Sequence, residues 1–167
     1  IIEKKLAEAT EKYRAEQGTV VIVNPKTGAI LAMSSFPTYN PNAYNMISEE
    51  DQRIFTNPSI FDIYEPGSVG KPVMMAAALD AGLVTADTTY QDSGSVRVGA
   101  HTIHNFGHKA WGRQTMTRVI EQSLNLGMVF VTDKVGKERG YEYLDRFGFT
   151  NLTGITLDSE TQSKVKE

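Results

Sequence analysis

The sequence predicts an α+β domain: a β-hairpin followed by a mostly helical part. Three observations carry this. Two aliphatic, β-branched runs at residues 19–23 and 29–34 flank the turn sequence Asn24-Pro25-Lys26-Thr27-Gly28. Pro66-Gly67 and Pro72 punctuate the chain just before the apolar run Val73-Met74-Met75-Ala76-Ala77-Ala78-Leu79, which reads as a helix. Further helical patterns cover residues 115–123, 128–135 and 138–147.

The elements follow in order. Residues 1–17 form a charged amphipathic helix with Leu6, Ala9 and Tyr13 on one stripe, ended by Gly18. After the hairpin, residues 36–44 carry Pro37 and Pro41 and read as an extended loop. Ser48-Glu49-Glu50-Asp51 opens a short helix with a capping pattern. Asn57-Pro58-Ser59 then turns the chain into the stretch Tyr64 to Pro72. The apolar helix beyond it stops at Gly82 and, being apolar all round, is expected to be buried. Residues 85–112 read as irregular, with a small hairpin near 95–98 and 102–104. The helical pattern from Thr115 breaks near Asn125 and Gly127. Tyr141, Leu144 and Phe147 share a face of the last helix, and residues 152–157 read as a strand. The expected division is a domain over 1–158 and a polar tail over 159–167.

Composition bounds the function. The chain has 167 residues, enough for a core of its own. A net charge of −3 gives no argument for nucleic acid as a partner. The absence of cysteine excludes disulfides and thiolate metal sites. No apolar run is long enough to cross a bilayer. The first residue is Ile1 rather than Met, so the chain is expected to begin inside a longer parent.

The densest chemistry lies in Glu65-Pro66-Gly67-Ser68-Val69-Gly70-Lys71-Pro72. Proline lacks an N–H, and only the first four helical N–H groups have no partner within the helix. The first helical residue should therefore lie between Val69 and Pro72, with Ser68 at or near the N-cap. Residues three apart share a helix face, so the Ser68 hydroxyl and Lys71 amine are expected to meet. A lysine at the positive end of a helix, among apolar residues, is pushed toward its neutral form. A neutral amine can take a proton from serine and leave a nucleophile. On these four residues alone the plainer reading is stronger: Ser68 a simple N-cap, Lys71 a surface residue.

Two other groups stand out. In Ser123-Leu124-Asn125 the two polar residues are too close in sequence to share a helix face, but a helix-to-helix turn would aim both the same way. The plain alternative is a helix C-terminus capped by Asn125. His101, His104 and His108 have no obvious fourth ligand nearby, and a polar loop fits them better than a zinc site. Trp111 and Phe106 are expected to pack that loop down.

Taken together, Glu65-Pro66-Gly67-Ser68-x-x-Lys71-Pro72, then Ala76-Ala77-Ala78-Leu79-Asp80-Ala81-Gly82, then Gln122-Ser123-x-Asn125-x-Gly127-Met128 closely resembles the transpeptidase domain of class B penicillin-binding proteins. Residues 21–33 and Tyr143-Leu144-x-x-Phe147-Gly148-Phe149 match the same family in the same order. The resemblance implies a penicillin-binding, serine β-lactamase-like transpeptidase fold. It implies a D,D-transpeptidase that cross-links peptidoglycan stem peptides and is acylated by β-lactams, with no cofactor. Ser68 would be the nucleophile, Lys71 its base, Ser123 a proton relay and Asn125 a substrate and Lys71 ligand. It also implies cell-wall synthesis partners such as a glycosyltransferase, and a parent anchored by an N-terminal transmembrane helix on the outer face of the bacterial cytoplasmic membrane.

Two departures qualify the resemblance. The family's third motif, Lys-Thr/Ser-Gly, should follow the Ser-x-Asn turn, but the chain ends first. The literal Lys26-Thr27-Gly28 lies upstream and is assigned to the hairpin tip. A truncated form of low activity is therefore expected. Second, Val69-Gly70 stands where the family usually has Thr-Phe. Two alternative readings remain: a β-lactam sensor or serine β-lactamase relative, and a non-catalytic cell-wall scaffold.

Overall fold

The computed structural model describes residues 1–163. They form two compact units, one of Ile1–Ile63 with Leu152–Gln162 and one built on Tyr64–Asn151. The last part of the expected polar tail, residues 164–167, lies outside the described residues.

The first unit is a helix on a hairpin. Helix α1 (Ile2–Tyr13) precedes strands β1 (Gly18–Val23) and β2 (Ile30–Phe36), which pair antiparallel from Gly18–Phe36 to Val23–Ile30. The buried stripe of α1 is Leu6 and Thr10; the expected Tyr13 is 73% exposed. The helix ends there, with Arg14 left-handed at φ 53°, and its Leu6 and Thr10 side chains crowd Gly18 at the start of β1. The Lys-Thr-Gly sequence forms the hairpin turn as expected. The Asn24 carbonyl accepts the Gly28 N–H at 2.8 Å, and its side-chain oxygen accepts the Lys26 N–H at 2.9 Å.

The expected extended loop instead contains a 3₁₀ turn, Pro41–Met46, because Asn40 caps it by accepting the Asn42 N–H. A second 3₁₀ turn, Glu49–Phe55, begins after Ser48. The Ser48 hydroxyl donates to the Asp51 carboxylate at 2.6 Å and caps no backbone group. Helix α2 (Pro58–Phe61) is capped by Asn57. Residues 152–157 form no strand: Glu160 takes both the N–H and the hydroxyl of Thr153, which folds the segment onto itself.

The second unit holds the core. A 3₁₀ turn, Gly67–Gly70, leads into α3 (Lys71–Asp80), which starts within the expected window. Its N-cap is Gly70, so Ser68 is not the cap but lies inside the preceding turn. Nor is α3 buried all round. Met75, Ala77 and Ala78 are buried, but Leu79 is 45% exposed, because α3 packs on one side only against α5 (Asn125–Val135) and α6 (Lys137–Arg146).

Between α3 and α5 the chain is more regular than its composition indicated. Strands β3 (Thr89–Asp92) and β6 (Gly112–Thr115) pair antiparallel around the β4 (Ser95–Val98) and β5 (His101–His104) hairpin. Helix α4 (Met116–Glu121) follows, with the Thr115 hydroxyl accepting the Arg118 N–H. Met75, Val84, Met116, Val119, Leu124, Met128 and Val131 pack into one cluster with Tyr90 and Tyr143. Trp111 packs against that cluster, whereas Phe106 is 99% exposed, contrary to expectation. The buried face of α6 carries Gly140 and Tyr143, not Tyr141, Leu144 and Phe147. A methyl on Gly140 would lie 3.3 Å from Met74 Cε on α3, so the glycine lets α6 approach α3 closely.

Candidate active site

Lys71 opens α3, and its amine is held by the α4–α5 junction. It donates to the Ser123 carbonyl at 2.6 Å, to the Asn125 Oδ1 at 2.6 Å and to the Ser123 hydroxyl at 3.0 Å. Burial pushes the amine below the ordinary lysine range. The three acceptors are not equivalent. Carbonyl and amide oxygens can only accept, while a hydroxyl can also donate. The three contacts engage all three N–H bonds of the charged amine; a neutral Lys71 keeps two of them and gains a lone pair.

The junction achieves this by an unusual ending of α4. The Leu124 N–H bonds the Val119 carbonyl at 2.9 Å and the Ser123 N–H bonds the Ile120 carbonyl at 3.2 Å. This is a Schellman ending, in which the residue at the Ser123 position adopts a left-handed conformation and is usually glycine. Ser123 sits there at φ 52°. A non-glycine residue costs roughly 1 kcal/mol in that conformation. The turn expected to aim Ser123 and Asn125 together is present, and Asn125 begins α5 rather than ending α4. Gly127 makes the junction tight: a methyl there would overlap the Val119 side chain and lie 3.1 Å from Tyr90.

Ser68 is exposed, one turn before Lys71. The Lys71 N–H bonds the Ser68 carbonyl, but among the described residues no hydrogen bond joins the Ser68 hydroxyl to the Lys71 amine. The expected direct meeting is therefore not formed; the amine's hydrogen-bonding capacity is taken by Ser123 and Asn125. Val69 is 73% exposed, and a methyl on Gly70 would find only Pro66, at 3.8 Å.

Sequence reasoning missed the groups behind the site. Asn105 donates its side-chain amide to both oxygens of Asp92 at 2.9 Å, and its Oδ1 accepts the Asn125 N–H at 2.9 Å. Burial would raise the Asp92 carboxyl, but hydrogen bonds from Tyr90, Asn105 and the Gly94 and Trp111 N–H groups outweigh it and hold the carboxyl below its usual range. In β3, Tyr90 and Asp92 face inward and Thr89 and Gln91 do not, but Thr-Tyr-Gln-Asp carries no apolar alternation that would have shown it. Of the histidines, His104 and His108 lie with ring centroids 4.3 Å apart at a tilt of 55°, and the His104 carbonyl accepts a hydrogen bond from Asn125 Nδ2 at 2.8 Å. Among the described residues no three His, Cys, Asp or Glu side chains are grouped to hold a metal ion.

An α+β domain that sets a Ser-x-x-Lys helix against a Ser-x-Asn turn has the penicillin-binding transpeptidase fold. The family model for the penicillin binding protein transpeptidase domain matches residues 18–167. The chain belongs to that family, in its class B branch. It is 33% identical over 160 residues to penicillin-binding protein PbpB of Mycolicibacterium smegmatis, covering 96% of this chain and 24% of that protein. It is 39% identical over 147 residues to the probable peptidoglycan D,D-transpeptidase PbpC of Pseudomonas aeruginosa, covering 87% of this chain and 25% of that one. Among solved structures, penicillin binding protein 3 of Mycobacterium tuberculosis superposes with a TM-score of 0.86 at 30% identity, covering 99% of this chain and 37% of the other. That protein has also been solved with aztreonam and with ampicillin. The chain thus spans about a quarter of the length of these curated relatives.

Proposed function

We propose that this chain is the nucleophile-bearing part of a serine-type peptidoglycan D,D-transpeptidase. The observation that carries the reading is the Lys71 amine, lowered in basicity by burial and bound to both polar residues of the Ser-x-Asn turn. The Ser68 oxygen attacks the penultimate D-Ala carbonyl of a stem peptide. The new C–O bond replaces the C–N bond, giving an acyl-enzyme and free D-Ala. The serine proton passes to Lys71 and, through the Ser123 hydroxyl, to the departing amine. Asn125 holds Lys71 and contacts the peptide backbone, and the Ser68 N–H is one oxyanion donor. An amine from a second stem peptide then attacks the ester; the new C–N bond replaces the C–O bond, and the proton lost by that amine returns to the Ser68 oxygen. A β-lactam enters by the same first step, in keeping with the aztreonam and ampicillin complexes of the mycobacterial relative.

The second oxyanion donor belongs to a Lys-Thr/Ser-Gly strand in this family, and Lys26-Thr27-Gly28 is occupied in the hairpin turn. Without such a donor, acylation slows on the order of a hundredfold or more. The proposed setting is the outer face of the bacterial cytoplasmic membrane, alongside a glycosyltransferase. Among the described residues no helix is long and apolar enough to cross a membrane.

The test is labelling with a fluorescent penicillin of the protein as expressed from its own gene. Label that persists and vanishes in Ser68→Ala supports the transpeptidase. Label that is lost within seconds to minutes marks a hydrolase instead, and no Ser68-dependent label leaves only a scaffold.

A further inference from the structure

The N-terminus of α5 breaks a local rule. Its N-cap is Leu124, which has no polar side chain, so the first N–H groups of the helix have no local partner. They are capped instead from twenty residues upstream: Asn105 Oδ1 accepts the Asn125 N–H at 2.9 Å and the Leu126 N–H at 3.3 Å. Only one orientation of the Asn105 amide can do this, and Asp92 selects it. Both Asp92 oxygens, and the Lys109 carbonyl at 3.1 Å, accept from Asn105 Nδ2, which leaves Oδ1 pointing at α5.

Asp92 is itself fixed. It is 1% exposed and takes further hydrogen bonds from the Tyr90 hydroxyl at 2.6 Å and the Gly94 N–H at 2.9 Å. Asn105 is 4% exposed. The neighbouring His104 carbonyl accepts the Asn125 Nδ2, so that Asn125 Oδ1 is the atom turned toward Lys71. A buried acid with every acceptor direction engaged is a rigid anchor, and a fully satisfied polar network specifies one geometry.

We propose that Asp92 and Asn105 are a positioning pair for this site: through the α5 N-terminus they hold Asn125 and Ser123 where the Lys71 amine requires them. Neither touches the reacting atoms. The proposal deepens the transpeptidase reading and rests on it. A helix cap needs only an acceptor; the buried carboxylate behind it adds control of direction, which matters where the capped residue also carries chemistry.

The test measures two quantities for the protein as expressed from its own gene: the rate constant of acylation by a fluorescent penicillin, and the fraction of molecules finally labelled. Asn105→Ala is expected to slow the rate about tenfold or more, as loss of outer hydrogen-bond partners does at other sites, while full labelling is still reached. A role in folding alone would lower the labelled fraction and leave the rate of the remainder unchanged, and that outcome overturns the proposal. Asp92→Asn sets amide against amide, and Asn105→Asp sets carboxylate against carboxylate, so each is expected to be slow. The double variant Asp92→Asn with Asn105→Asp restores one donor facing one acceptor and is expected to recover at least part of the rate. A double variant as slow as the slower single one overturns the pair. A wild type that takes no label overturns the transpeptidase reading and this proposal with it. A labelled wild type matched in rate by Asn105→Ala overturns the proposal only.

Discussion

The two units of this chain differ in what covers their apolar residues. In the second, α3 to α6 and the short strands enclose Val119, Leu124 and Val131 almost completely. In the first, β1 and β2 carry an equally apolar run, yet Val21, Ile22, Val23, Ile30 and Leu31 are all more than 40% exposed, and Leu6 is the buried apolar residue among those described. Among the described residues the sheet has two strands, so each presents an unpaired edge. Apolar pattern therefore specifies secondary structure in both units, but burial only where the chain itself supplies the cover. The polar groups follow the same division: the second unit has a saturated network around Asp92, whereas the buried Ser34 hydroxyl in the first has no hydrogen-bond partner among the described residues.

The sharpest contrast is between the two lysine motifs. Lys71→Ala or Ser68→Ala is expected to reduce fluorescent-penicillin labelling on the order of a thousandfold or more. Lys26→Ala, at the hairpin tip, should leave it unchanged; a comparable loss there would show that the upstream Lys-Thr-Gly belongs to the site after all. The next contrast is in stability. Gly127→Ala forces a methyl into Val119 and is expected to cost about 2–3 kcal/mol in denaturant unfolding. Leu31→Ala, 66% exposed, should stay within about 0.5 kcal/mol.

Acid should find the second unit through Asp92. Its carboxyl is held below the usual range when folded, so on acidification the unfolded chain binds the proton first. The stabilisation is complete above the ordinary carboxylate pKa and is lost as pH falls through the lower, folded value. Melting temperature followed against pH should show this fall in the wild type and lose it in Asp92→Asn. The acylation rate has the opposite origin. If Lys71 is the base, as proposed, acylation needs it neutral and its rate should rise with pH, with burial placing that rise below the range of an ordinary lysine. A rate still climbing through the ordinary lysine range would remove Lys71 as the base.

The smallest effect separates stability from function at one residue. Ser123→Gly relieves a left-handed serine and is expected to raise stability by about 1 kcal/mol while slowing acylation. Gly70→Ala, at the α3 N-cap with right-handed backbone and Pro66 3.8 Å from the added methyl, should change stability by less than about 1 kcal/mol with labelling preserved.

Much of this is legible in the sequence. The hairpin, the window for the start of α3, the Gly82 stop and the turn that gathers Ser123 and Asn125 follow from proline chemistry, turn residues and helical spacing. The β3–β6 pair was not, because Gly112-Arg113-Gln114-Thr115 has no apolar pattern to betray a strand. Ser68 lies near the α3 N-cap rather than at it because a 3₁₀ turn intervenes, which no local propensity encodes. Asp92 and Asn105 were invisible for a deeper reason. Their roles come from partners 13 to 20 residues away, and periodicity reports only on neighbours.

That long reach has a kinetic side. Because Leu124 cannot cap α5 on its own, the first turn of the helix is expected to stay frayed until the β4–β5 hairpin has closed and brought Asn105 alongside. Lysine and its acceptors should then assemble in a single late step, so that a partly folded chain displays the serine without the machinery to fire it.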